Sequence, residues 1–378
     1  MSISRLPLSA GFIMCLVLML LLFALWIKPN ENAHLNLIAE DNAVVSSRAE
    51  DLKTTIVSAD LQAPITSGKN VIWCATIQIA WNELCTWAGG SVHLVNEPQL
   101  VAILNQKVVV REDFDTSSLF ADAGIIKHGA VERIRSAIET KFPDDPYAAL
   151  PTGSSQLPGN AWIVYAYLAK TLPFEWAFKR LEEPLTFNGT EVEAFGITQY
   201  LNIQKDEVKA AQQVTIHDYN SPDDFIIELS TQSKQDRLIL AKVSPRSTLC
   251  ETISMVEQRL EHSTHRTSLP IGADLVIPLI DYNLVQEYSD LYGKSIVTEN
   301  LDIKDSEIGL ALQQIRFRLD ERGAILKSKA IFAESMAENV VFDKPFLLVV
   351  QSRRSGEPYL AMWVATPEIL VPVSKRGY

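Results

Sequence analysis

The chain is poor in the side chains on which most catalytic and metal sites are built. It has four cysteines and six histidines in 378 residues, and its cations are outnumbered, with 34 Lys and Arg against 46 Asp and Glu. Four cysteines do not make a secreted disulfide scaffold, and Cys15 lies inside an apolar run. Cys74 and Cys85 fall in a stretch read as helical, roughly 16 Å apart along its axis, so they are expected as buried apolar side chains rather than a bridge. A net charge of −12 gives no attraction to a phosphate backbone, so nucleic acid is not an expected partner. His34, His93, His128 and His217 are scattered, and His262 with His265 form an i, i+3 pair without a third ligand, read as a solvated helix end rather than a metal site. Gly-x-Ser-x-Gly, His-Glu-x-x-His and phosphate-loop motifs are all missing, so neither an enzyme nor a cofactor is expected. No repeat of 20 to 50 residues is visible.

One long hydrophobic run is present. Ala10 to Ile27, "AGFIMCLVLMLLLFALWI", carries no formal charge and lies between Arg5 and Lys28. As a helix it spans roughly 27 Å, enough for a thin bilayer. It is long for a signal-peptide core and lacks a clear small-x-small site, so residues 1–28 are expected to be a membrane anchor or uncleaved signal. The charge flanks place the bulk of the chain outside the cytoplasm, membrane-anchored, or secreted if residues 1–28 are cleaved. Residues 29–68 read as a spacer ending in a weakly periodic helix over Ala49 to Val57, and 69–378 as the folded domain.

Within that domain "NVIW" reads as a buried strand, and "ATIQIAWNELCTWA" places Ile77, Ala80, Trp81, Leu84 and Ala88 at helical spacing, ended by Gly89-Gly90. Residues 91 to 158 alternate short helical patterns with turns. Beyond them the pattern turns to β in "AWIVYAYLAK", "FIIELS", "DRLILAKV", "LALQQIRFRL", "AILKSKAIFA", "KPFLLVVQ" and "PYLAMWVA". One amphipathic helix interrupts it, with Ile253, Val256 and Leu260 on one face; "ADLVIPLIDYNLVQEYSDLYG" reads as strand, turn, helix. Helices early and strands late indicate an α+β fold. The tryptophans at 73, 81, 87, 162, 176 and 363 fall mostly on faces expected to be core. Asn188-Gly189-Thr190 is a formal glycosylation sequon.

Taken in order, several strings resemble the serpin family. "FRLDERGA" resembles the strand and Glu-x-Gly turn ahead of a serpin reactive loop, and "VVFDKPFLLVVQSRRSGEPYLAMWVATP" its closing strand pair. "NVIWCATIQIAWNEL" is similar to an early strand and helix, with Cys74, Ala75 and Ile77 departing from the usual small polar and proline residues. "DDFIIELSTQSKQDRLILAKVSPRSTLCETISMVEQRL" looks like the central hairpin and following helix, and "VIPLIDYNLVQEYSDLYG" like a strand and the helix ending at Leu291 and Gly293. The resemblance covers about residues 70 to 372. It implies N-terminal helices, a large mixed central sheet and a C-terminal β-barrel-like sheet. It also implies a partner, a serine or cysteine protease, trapped as an acyl-enzyme when a cut loop enters the main sheet.

The loop that would enter begins at a hinge of Glu321, Gly323, Ala324, Leu326, Ser328 and Ala330, with a candidate scissile region at Glu334, Ser335, Met336 and Ala337. Ala324, Leu326, Ser328, Ala330 and Phe332 share one side of an extended strand; Ile325, Lys327, Lys329, Ile331 and Ala333 share the other. That alternation permits insertion. Inhibitory serpins resemble Gly-Thr-Glu-Ala-Ala-Ala-Ala-Thr here, whereas "GAILKSKAIF" carries bulky and β-branched residues and two lysines, and the loop is shorter than the family's. The second reading is therefore a non-inhibitory binding module whose residues after Asp320–Gly323 form a static hairpin already in the sheet.

Overall fold

A computed structural model describes residues 45–198, 205–263, 266–270, 272–298, 300–324 and 339–373. Residues 1–44, with the expected anchor, lie outside that set, as do Leu326, Ser328, Ala330 and Glu334 to Ala337. Among the described residues no helix is long and apolar enough to cross a membrane.

The main sheet has five strands in the order Val45–Arg48, Ile280–Glu287, Glu307–Leu319, Ala161–Thr171 and Leu119–Ile125. Ala161–Thr171 is a continuous aromatic and aliphatic run, buried on both faces from Ala161 to Leu168. Such a strand has no solvent side, which is why it does not alternate. Beneath the sheet lies helix Thr76–Ala88, whose Ile77, Ala80, Trp81 and Leu84 are buried and whose end is set by Gly89 at φ 77°. Over the other face packs helix Ala130–Lys141, through Val131, Ile134 and Ile138 against Ile163, Tyr165, Tyr167, Leu310 and Leu312.

An eight-stranded sheet runs Thr267–Ser268, Val214–Ser221, Asp224–Leu229, Asp236–Lys242, Phe346–Ser352, Pro358–Val364, Asn70–Cys74 and Thr55–Ser58. The expected C-terminal barrel-like sheet is not what forms. The closing pair Phe346–Ser352 and Pro358–Val364 sits inside this open sheet, flanked by Asp236–Lys242 and Asn70–Cys74. A third sheet orders Val340–Val341, Leu275–Pro278, Ala194–Ile197 and Lys179–Arg180.

Three further expectations change. Residues 49–57 are not a helix: a 3-10 turn at Ala49–Asp51 is followed by strand Thr55–Ser58, and strand pairing carries the folded body back to Val45, inside the expected spacer. Open edges of two sheets recruit this segment, and its weak periodicity offers no competing helix face. The helix expected before Gly293 is strand Ile280–Glu287, with one 3-10 turn at Ser289–Leu291. Its Ile280, Tyr282 and Leu284 are buried while strands pair along both edges, and that tertiary pairing overrides local helical spacing. Trp87 is 51% exposed, whereas Trp73, Trp81, Trp162 and Trp363 are core. Cys74 and Cys85 are buried free thiols as expected, although Cys74 ends a strand rather than lying in a helix.

Candidate functional site

At the middle of the main sheet, Ala161–Thr171 and Glu307–Leu319 lie side by side in parallel, from Glu307 opposite Ala161 to Arg318 opposite Thr171, with one bulge at Ile308/Leu310. The other edge of Glu307–Leu319 is taken by Ile280–Glu287 in antiparallel register. Both edges of this strand are thus taken by other strands among the described residues, and residues 325–333, the second arm of the static hairpin expected around Asp320–Gly323, lie outside them. The chain does not turn back there. Gly323–Ala324 keeps the direction of Glu307–Leu319 and pairs in parallel with Phe174–Trp176, which prolongs the neighbouring strand past Thr171.

A buried polar network ties the seam to the helix beneath. Gln313, fully buried, donates from Nε2 to the Cys74 carbonyl (3.0 Å) and to Thr76 Oγ1 (2.9 Å), and its Oε1 accepts from the Tyr288 hydroxyl (2.9 Å). Burial pushes the Cys74 thiol up to about 11, so it stays protonated. All the groups named are paired, and leaving any one of them unpaired in this buried setting is costly.

At the head of the seam the charges alternate. Arg316 contacts Asp281 (2.5 Å), Arg318 contacts Asp281 (3.4 Å) and Asp320, and Arg322 contacts Asp320 (3.2 Å). Asp281 and Asp320 are almost wholly buried, so each needs its guanidinium partners. Glu321 differs: its Oε2 is buried without a partner among the described residues, and burial, helped by neighbouring Asp320, raises its pKa. Its carbonyl accepts from Phe178 N (2.9 Å), and the Arg322 carbonyl from Phe174 N (2.9 Å). The backbone of Glu321 to Ala324 is thus held at the mouth of the seam; Leu326, Ser328 and Ala330, the rest of the expected hinge, lie outside the described residues.

The chain is described again from Asn339, and it is anchored there too. Val340–Val341 pairs in parallel with Leu275–Val276. Buried Lys242 reaches Asp343 (2.5 Å), Asp223 (2.9 Å) and the carbonyls of Pro222 (2.9 Å) and Val341 (3.0 Å). Sequence reasoning missed Lys242, since a lysine inside "LILAKV" carries no local mark. It also missed Gln313 and Tyr288, whose partners are far away along the chain.

No family model and no curated protein matches the chain. Solved structures do match in fold. Human thyroxine-binding globulin complexed with thyroxine is 11% identical, over 79% of this chain and 92% of that chain, with a TM-score of 0.50. A second thyroxine-binding globulin complex gives 12%, 79%, 93% and 0.50. The mouse protein Z-dependent protease inhibitor gives 14%, 79%, 91% and 0.49. At these identities the likeness concerns the fold alone, and the chain has the serpin fold.

Proposed function

We propose that this protein inhibits a serine or cysteine protease as a suicide substrate, the cut segment after Ala324 entering the main sheet between Ala161–Thr171 and Glu307–Leu319. It is not itself a catalyst. The observation that carries this reading is the closed parallel seam with an unreversed chain at its head. A strand inserted there runs antiparallel to both neighbours and is reached simply by reversing the chain beyond Ala324. Insertion replaces one ladder by two, so it supplies the free energy to drag an acyl-enzyme away from its water-competent geometry. The chain acts outside the cytoplasm, tethered through residues 10–27.

Incubation with a panel of serine and cysteine proteases tests this. We expect a covalent complex that survives denaturant, and a cleaved chain whose Tm rises by about 20 °C or more, since roughly ten new ladder bonds contribute about 1 kcal/mol each. Plain cleavage without a complex and without a gain in Tm overturns it.

A non-inhibitory binding role is favoured by one observation. If Ala324, Leu326 and Ser328 face the core, Lys327 and Lys329 come to the face that carries Arg316, whose guanidinium stacks over Tyr147 at 5.5 Å. Like charges side by side slow insertion. Replacing Lys327 and Lys329 by Ser is then expected to raise the fraction of protease trapped rather than released. No change in that fraction counts for the binding role.

A further inference from the structure

The two ends of the main sheet are finished differently. At one end Val45–Arg48 covers Ile280–Glu287. At the other lies Leu119–Ile125, paired antiparallel with Ala161–Thr171 along its whole length and with no further strand among the described residues. Such an edge ordinarily offers its N–H and C=O groups to water or to another strand. Here Ala121 is 2% exposed and Ala123 0%, so the edge is covered by something other than a strand.

Side chains stand where a neighbouring strand would. The Ala121 carbonyl accepts from Arg111 Nη2 (2.6 Å) and the Ala123 carbonyl from Arg133 Nη2 (3.0 Å). The Ala123 N–H donates to Asp122 Oδ1 (2.8 Å). Ala121 and Ala123 are two residues apart, so their main-chain groups share one edge of the strand, and these three bonds fill its centre. Each guanidinium is itself fixed, and from opposite sides of the sheet. Arg111 is held by Glu83 (2.7 Å) on helix Thr76–Ala88, whereas Arg133, on helix Ala130–Lys141, is held by Asp122. The strand also makes room for this arrangement. A Cβ at Gly124 would lie 2.5 Å from Arg133 Nη2 and 2.9 Å from Ala130 Cβ, so any side chain there displaces the guanidinium.

We propose that Arg111, Arg133 and Asp122 form a guard that keeps the main sheet from taking a further strand at this edge, and that the strand it excludes is Leu119–Ile125 of a second copy of this chain. Without the two guanidinia the Ala121 and Ala123 carbonyls are left unpaired in a buried setting, which is costly. Main-chain pairing with an extended strand removes that cost. A two-fold axis along the edge sets the same seven residues of two copies antiparallel and satisfies both edges at once, which a lone foreign strand does not. The guard therefore decides whether the sheet ends at Leu119–Ile125 or continues into another molecule.

Light scattering of the full chain in detergent over a dilution series, with amide exchange read by mass spectrometry, tests the proposal. We expect the doubly substituted Arg111→Ala, Arg133→Ala chain to double in mass on concentration where the wild type does not, and its Leu119–Ile125 amides to exchange at least tenfold more slowly in the concentrated sample than in the dilute one. Arg133 is half-exposed, so Arg133→Ala alone folds even if the double variant does not. It is expected to associate in the same way at higher concentration, as is Gly124→Ala, which keeps both arginines. Lys234→Ala breaks an exposed pair with Glu175 elsewhere and should leave the mass unchanged. Mass curves that coincide for the wild type and the guard variants, or association that leaves Leu119–Ile125 exchanging as in the dilute sample, overturn the proposal. None of these outcomes depends on whether the seam takes up a strand.

Discussion

Phe346–Ser352 and Pro358–Val364, in the eight-stranded sheet, pair antiparallel across one short turn, whereas the seam strands of the five-stranded sheet pair in parallel with more than a third of the chain between them. The first pair is buried at every position and apolar at nearly all of them. The seam strands carry buried Lys170, Gln313 and Gln314. An apolar hairpin closes early, because its loop is short, and has no reason to reopen. A parallel pair joined by a long detour parts without strain on any short connection. Under the proposed insertion, the buried polar groups decide when it parts. The two sheets then show how similar strand sequences would serve permanence in one place and separability in another.

The largest effect that can break this contrast comes from stapling. Val164 lies opposite Ala311 across the seam, and Val349 opposite Ala361 in the hairpin. With cysteines at Val164 and Ala311, oxidation should abolish covalent trapping of a protease by a hundredfold or more and reduction should restore it. The same staple at Val349 and Ala361 should leave trapping intact. Trapping that survives the first staple removes the seam from the mechanism.

Next in size, Leu348→Ala in the fully buried hairpin should cost about 2–5 kcal/mol in denaturant unfolding, by loss of apolar burial and the cavity left behind. It should do so without changing the partition between trapping and release. Gln313→Leu should cost less, about 1–3 kcal/mol, because it strands Tyr288 and Thr76 without their partner. It should also speed opening of the seam, read as faster amide exchange along Glu307–Leu319 than along Phe346–Ser352. Equal exchange in both sheets would contradict the contrast.

The smallest effect concerns pH. Glu321 has a folded pKa above its ordinary 4.5, with burial the chief cause. A raised folded pKa means the folded chain holds the proton more tightly than the unfolded one. Its contribution to stability is thus fully present below pH 4.5 and is lost as pH rises through the folded pKa. Glu321→Gln should flatten this dependence in a Tm series across that window. Glu228 offers the opposite sign as a control. Burial opposes its ionisation, but His217, Arg237 and Arg353 outweigh it and hold the pKa at about 2. Its contribution is present above pH 4.5 and fades as pH falls towards 2.

Much of the fold was legible where strands are long and apolar. Glu307–Leu319, Asp236–Lys242, Phe346–Ser352 and Pro358–Val364 all lie where the β pattern places them, and helix Thr76–Ala88 ends at the glycine that its αL backbone needs. Leu119–Ile125 was not legible: "LFADAGI" has neither alternation nor a strong β-branched run, and becomes a strand because an adjacent edge pairs with it along its whole length. Of the candidate site, Glu321, Gly323 and Ala324 are described and lie at the seam's mouth, and the other residues named for the hinge and scissile region lie outside the described residues. The supporting groups Gln313, Tyr288, Lys242 and Asp281 were invisible, since each matters through a partner brought near only by folding.

Composition and periodicity alone settled the class of this protein: an acidic, cysteine-poor chain with an apolar N-terminal run, an α+β body and an alternating segment after Gly323 compatible with a strand. Only tertiary structure decided that this segment's expected hairpin partner is already paired on both edges, and that residues 45–58 complete two sheets rather than linking to them. The reason is physical. Side-chain period is a local property that a strand carries wherever it lies, whereas which edge it pairs with depends on every other strand competing for that edge.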